Sequence, residues 1–262
     1  MPTKRDRTAT HIALTGASSG IGAALVLEYA REGCTLSLLA RRKDRLEEVA
    51  ETARGRGAEV HCQVGDVRQA NAIEQWYIAA DERRPIDLLI ANAGIFDGIG
   101  PNDRLETSKE AEQLVATNLL GAIYTAQAAL PRMMARRRGH IAFISSLAAR
   151  LPAADAPAYS ASKAGLVAYA EALREYLLDY DICVSTVLAG HVLTAQTEIH
   201  EGPLPMILPA AVAAQRIRQG LQKQRAIISL PRRASFLVGA ARLLPWRLRA
   251  RANASSRFHV RK

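Results

Sequence analysis

The 262-residue chain is 49% hydrophobic and 23% charged, enough apolar material for one large α/β core and too much for a disordered chain. It contains no run of about 18 uncharged apolar residues, so no membrane-spanning helix is expected, and the basic opening MPTKRDRTAT leads into an apolar run too short for a signal peptide. The net charge of +10 is uneven: 13 of the 35 Lys and Arg follow Glu201 and no acid does, leaving 22 bases against 25 acids before that point. The cysteines, Cys34, Cys62 and Cys183, sit singly in apolar runs with no CxxC spacing. They read as buried reduced thiols of a cytoplasmic protein, and no metal-ligand set is expected.

In chain order, the strand candidates are residues 10–16, 34–40, 58–64, 86–93, 139–146, 181–190 and 226–230. They are nearly continuous apolar runs, as expected of strands covered on both faces. Helical segments lie between them at 20–32, 43–55, 69–82, 108–137, 157–180 and 209–224. Regular alternation predicts a doubly wound parallel α/β sheet with helices on both faces. No repeat, low-complexity block or linker appears before residue 200; residues 1–230 read as one domain, followed by a basic amphipathic extension over 231–262. In such a sheet ligands bind beyond the carboxyl ends of the strands.

The first strand ends in TGASSGIG. Gly16, Gly20 and Gly22 permit a tight turn and close approach to a ligand, and Ser18, Ser19 and Ile21 lie where the following helix presents free N–H groups to phosphate. A glycine-rich turn without a ligand is the competing reading, and the GxxxGxG spacing departs from GxGxxG. The second strand runs into Ala40, Arg41, Arg42 and Lys43, where an NAD site places an acid. Three cations at a helix start oppose its dipole, whereas a 2′-phosphate would attract guanidinium groups. Arg41, and with it Arg42, points to NADP(H), although Arg42 and Lys43 also fit a solvated turn.

Together these motifs resemble the short-chain dehydrogenase/reductase family over roughly residues 8–195. TGASSGIG fits its TGxxxGxG pattern, GDV at 65–67 its acid after the third strand, and ANAG its NAG after the fourth. TNLLGA supplies the helical Asn118, ISS supplies Ser146, and Tyr159-Ser-Ala-Ser-Lys163 is the YxxxK signature. The resemblance implies a Rossmann fold and a homodimer or homotetramer built through the 108–137 and 157–180 helices. It implies that Asp66 caps the adenine, that Val67, Asn92, Ala93 and Gly94 line the cofactor, and that Gly190 and Thr194 reach the nicotinamide end. LAGHVLT departs from the family's Pro-Gly by placing Ala189 where proline is usual, and loss of the proline is expected to loosen the turn.

Tyr159 and Lys163, four apart, share one helix face. An ammonium beside a phenol favours the phenolate and lowers its pKa, which suits Tyr159 for proton exchange with a carbonyl or alcohol. Ser146 is expected to hydrogen-bond the substrate oxygen, Lys163 to hold the nicotinamide ribose, and Asn118, by resemblance, to position a water linking Lys163 to solvent.

Residues 191–208 form the expected substrate lid, apolar through Ile199, Leu204, Met206, Ile207 and Leu208, which points to a hydrophobic ketone. His191 there fits either a substrate contact or an ordinary loop position. The tail mixes Arg with Phe, Leu and Trp. Contact with an anionic membrane surface and packing on a subunit both fit it, while basic charge alone is too unspecific to indicate nucleic acid. The competing functional class is a non-catalytic dinucleotide-binding regulator or scaffold, for which a tuned phenol has no use.

Overall fold

The computed structural model describes residues 9–195, 197–253 and 257–261. Strands β1 (His11–Thr15), β2 (Thr35–Ala40), β3 (Glu59–Val64), β4 (Leu88–Ala91), β5 (Gly139–Ser146) and β6 (Ile182–Ala189) alternate with helices α1 (Gly20–Tyr29), α2 (Lys43–Arg54), α3 (Ala70–Arg83), α4 (Ser108–Val115), α5 (Gly121–Ala135) and α6 (Pro157–Tyr176). The two-residue strands β7 (Val192–Leu193), β8 (His200–Glu201) and β9 (Leu208–Pro209) then lead into α7 (Ala210–Gln222) and β10 (Ile227–Leu230). Beyond these lie α8 (Arg232–Arg242), α9 (Trp246–Asn253) and β11 (His259–Val260).

Seven strands form one parallel sheet in the order β10-β6-β5-β4-β1-β2-β3. The order reverses between β1 and β4, and the crevice above their carboxyl ends is where this topology takes a ligand. Residues of β1 and β2 are buried throughout, while β3, at the edge, exposes Glu59, Gln63 and Val64. One face of the sheet packs Leu25 and Val26 of α1, Leu46 of α2 and Ile217 and Leu221 of α7. The other packs Ile73 and Tyr77 of α3, Met133 of α5 and Leu166 of α6. Each fully buried aliphatic side chain adds about 1.5–3 kcal/mol, set against the entropy of ordering the chain.

Local signals set the helix starts near the crevice. Thr107 and Glu110 form a capping box at α4, with the Glu110 N–H donating to Thr107 Oγ1 at 3.3 Å and the Thr107 N–H to Glu110 Oε2 at 2.8 Å. Pro157 opens α6, where its missing N–H costs no helical bond. Between α4 and α5 the helix widens into a π-turn over Ala116–Leu120, which carries the buried Thr117 and Asn118.

Pro245 lies between α8 and α9, and residues 257–261 return to the body, where β11 pairs antiparallel with β8. The predicted 191–208 lid has its two ends joined by the pairing of β7 with β9 and its middle held by the pairing of β8 with β11. The last strand thus joins the body by pairing with β8. Periodicity missed this because a two-residue strand has no pattern to read. At the end of β6, Ala189 is in register with Leu230, and the Gly190 N–H donates to Leu230 O at 2.7 Å.

Candidate active site

The glycine turn after β1 is close-packed. Gly16 and Gly20 have φ of 71° and 55°, and a Cβ on Gly22 would lie 2.1 Å from Gly16 O, so L side chains are excluded by conformation and by space. Asn92 Nδ2 donates to Thr15 O and Gly16 O, both at 3.1 Å. Thr15 Oγ1 accepts in return from the N–H groups of Asn92 and Ala93. Asn92 and Ala93 thus clamp the turn to the end of β4. Ser18 and Ser19 lie along it, and α1 begins at Gly20 with no side chain capping its first N–H groups. Ile21 follows, and Thr194 packs against Gly20, its Cγ2 3.1 Å from where a Cβ would stand.

Arg41 and Arg42 are exposed beyond β2. Asp66 lies near enough to feel the charge of Arg41, but its partner is Arg68, whose Nη2 donates to Asp66 Oδ2 at 2.6 Å. That bond is the main force holding the Asp66 carboxyl below its ordinary range. Val67 is buried and crowds Gly121, where a Cβ would meet its Cγ2 at 2.6 Å. Gly190 turns the chain under Leu230 at the end of β6.

Ser146 ends β5 and Tyr159 lies in the first turn of α6, close enough for the serine side chain to act on the phenol. Ser146 Oγ also accepts from the Ala148 N–H at 3.1 Å. Lys163, buried at 6% exposure, donates from Nζ to Ile144 O at 3.0 Å and lies 5.9 Å from the Tyr159 ring centre. Gly94 faces this group: a Cβ there would lie 3.3 Å from Lys163 Nζ and 3.1 Å from Asn118 Oδ1. Asn118 accepts from the Ile95 N–H at 2.8 Å and donates from Nδ2 to Ile95 O at 3.0 Å and Ser162 Oγ at 3.2 Å. Both its amide hydrogens are therefore committed to protein acceptors, leaving one lone pair on Oδ1 for a water.

The electrostatics differ from the simple pairing expected of Tyr159 and Lys163. Burial pushes the Tyr159 phenol above its ordinary value, and the Ser146 side chain pulls it down. Burial also lowers Lys163 to about 8. The cleft desolvates both groups, and desolvation disfavours phenolate and ammonium alike. In the protein alone, Tyr159 is a protonated acid.

The sequence pattern did not reveal several supporting groups. Ser162 donates to Tyr159 O at 2.8 Å and accepts from Asn118, and Ser145 donates to Lys163 O at 3.0 Å. The two serines within YSASK and the doubled serine in ISS were the available signals.

The short chain dehydrogenase family model matches residues 10–201. The chain belongs to that family. Short-chain dehydrogenase relatives span much of its length. An uncharacterized oxidoreductase of Myxococcus xanthus is 33% identical over 233 residues, covering 88% of this chain and 91% of the relative. The 11-beta-hydroxysteroid dehydrogenase 1A of Arabidopsis thaliana is 34% identical over 236 residues, covering 82% of this chain and 66% of the relative. A 3-dehydrosphinganine reductase of the same plant, TSC10A, is 36% identical over 218 residues, covering 81% and 65%. Among solved structures, a short-chain dehydrogenase from Sphingobium yanoikuyae in complex with NADPH superposes with a TM-score of 0.75 at 27% identity, covering 88% of this chain and 92% of that one.

Proposed function

We propose that this protein is an NADP(H)-dependent oxidoreductase that interconverts a ketone or aldehyde and its alcohol, with a preference for apolar substrates. The observation that carries the reading is the convergence of Ser146, Tyr159 and Lys163 beside the glycine turn at the sheet's switch point. Relatives named for a hydroxysteroid and a dehydrosphinganine support chemistry at a hydroxyl or keto carbon.

A dinucleotide suits the residues present. The tight turn made by Gly16 and Gly20 at positive φ, and the start of α1, where the N-cap Ser19 makes no side-chain cap, form a cradle for a pyrophosphate. Arg41 is the residue to pair with a 2′-phosphate. Val67, Ala93 and Gly94 border the cleft, Lys163 reaches the ribose, and Thr194 sits against the glycine turn. Bound NADPH supplies the hydride.

This chain's own residues handle the proton and the developing charge. Tyr159 donates its hydroxyl proton to the substrate oxygen as negative charge grows there. Ser146 donates a hydrogen bond to the same oxygen, and its prior orientation avoids reorganisation during reaction. Lys163 supports the phenolate left behind, and Ser162 and Asn118 hold the first turn of α6 in place. A non-catalytic regulator would need none of this buried polar arrangement. Comparing NADPH consumption over a carbonyl panel for wild type and Tyr159→Phe, alongside NADPH binding, tests the reading.

The finer setting belongs to the same proposal. Val115, Leu120 and Tyr176 are exposed on the α4–α5 and α6 side, which supports a homo-oligomer through that face; light scattering on the purified chain tests it. Helices α8 and α9 and the link between them expose Phe236, Leu237, Leu244, Trp246 and Leu248 among arginines in a segment without acids. That composition supports peripheral attachment to an anionic membrane. Among the described residues, no helix is long and apolar enough to cross one.

A further inference from the structure

We propose that the returning segment Arg257–Arg261 forms a wall of the substrate chamber, and that Phe258 sets which carbonyl compounds reach Tyr159, favouring ring-bearing apolar ketones. This inference rests on the reading of Tyr159 as the proton donor.

The geometry begins at the Tyr159 ring. Phe96 meets it edge-on with centres 5.0 Å apart, Phe258 lies 6.0 Å from Phe96, and His200 stacks on Phe258 at 4.2 Å. Phe96, Tyr159 and Ile199 pack against buried Phe258, Val260 and Ala156 in one apolar cluster, separate from the two cores of the sheet. An aromatic shelf thus runs outward from the proton donor, and the strap supplies its far side.

The strap is fastened by specific bonds. Asp155, 1% exposed, accepts from Arg257 Nε at 2.5 Å and from the Phe258 N–H at 3.1 Å. The Val260 N–H donates to Ile99 O at 2.9 Å, and the Arg261 N–H to Ile199 O at 2.8 Å. At Gly98 a Cβ would lie 2.3 Å from Asp155 O and 3.2 Å from Val260 Cγ2, so the chain beside Phe96 is kept bare for the strap to lie close. A buried carboxylate committed to a strand from the far end of the sequence is costly unless paired. Here it anchors a segment that joins the loop after β4, the lid and the tail.

The shelf favours flat apolar rings, because aromatic faces and edges reward offset and edge-to-face contacts at 4.5–7 Å separation, roughly. Phe258 forms its far side, next to Phe96 and His200. The test is performed on the full chain with 2-tetralone and acetone as probes. In wild type, Phe258→Ala and Phe258→Trp, kcat/KM is measured for both ketones with NADPH, and 2-tetralone binding to the NADP-loaded protein by calorimetry. The expected result is a loss of about tenfold or more in the 2-tetralone/acetone kcat/KM ratio for both variants, with weaker 2-tetralone binding. Hydrogen exchange at the Val260 and Arg261 amides in Phe258→Trp shows whether the strap stays seated while specificity changes. An unchanged ratio with unchanged binding, no 2-tetralone binding by wild type, or a ratio that changes only where the strap has detached, overturns the proposal. Binding that depends on residue 258 without turnover of either ketone would instead overturn the proposed reaction and leave the chamber wall standing.

Discussion

Ser146, the last residue of β5, stands close enough to Tyr159 in the first turn of α6 to lower its phenol pKa against the rise that burial imposes. Removing either partner gives a distinct result. Tyr159→Phe is expected to lower carbonyl reduction by about 10²–10⁴-fold, the usual worth of a positioned acid, while NADPH binding persists. Ser146→Ala is expected to lower kcat by about 10²-fold through loss of one donor to the substrate oxygen. Steady-state kinetics beside cofactor titration separates the two effects.

Lys163 carries a stability cost that its substitution relieves. Its pKa is about 8 in the folded chain against an ordinary 10.5, so below pH 8 both states hold the proton and the full cost of a buried ammonium is present. That cost is about 3 kcal/mol. Lys163→Met also loses the bond to Ile144 O, worth about 1–1.5 kcal/mol, so the variant is expected to be about 2 kcal/mol more stable at pH 7. As pH rises from 8 towards 10.5 the folded chain has already released its proton, wild type recovers, and the advantage shrinks. Denaturant melts across that range check the sign. Carbonyl reduction is expected to fall as pH rises past about 8, where the ammonium is lost.

Arg41→Asp tests the choice of cofactor. Reversing this charge replaces a partner for a 2′-phosphate with one for ribose hydroxyls. NADPH affinity is expected to fall by at least tenfold, and NADH affinity to hold or rise. Equal change for both, measured by fluorescence titration, would remove Arg41 from phosphate recognition.

Asn92→Ala is expected to destabilise the chain by about 1–3 kcal/mol, because it unclamps the carbonyls of Thr15 and Gly16. Cofactor affinity should drop with it, since the glycine turn loses its support. Thermal melts with and without NADPH read both effects.

For the tail, Arg247→Glu combined with Arg249→Glu is expected to weaken binding to phosphatidylserine-containing vesicles by roughly 30-fold or more, at about 1 kcal/mol per arginine near the surface. Sedimentation with anionic and neutral vesicles checks it; wild type indifferent to both would remove the membrane from the reading.

The sheet was legible because each buried strand is a short apolar run between amphipathic helices: the 139–146 strand was read to the residue, and helix ends elsewhere shifted by up to a few positions. The groups brought to the crevice were legible because strand ends carry them in a fixed order. What sequence concealed was pairing across distance. Nothing near Asp155 announces Arg257, and no local pattern marks Phe258 as a neighbour of Phe96. The pKa directions were equally hidden, since they depend on how far Tyr159 and Lys163 are withdrawn from water rather than on their four-residue spacing.

The π-turn at Ala116–Leu120 inserts a wide coil at the point where Asn118 grips Ile95. Wide coils relax to ordinary helix when one residue is lost, at a gain in backbone regularity. A one-residue deletion there would swing everything upstream by roughly 100° about the axis, turning the amide away from its cleft. The irregularity is thus an aiming device, and a sturdier helix at this place would be a blind one.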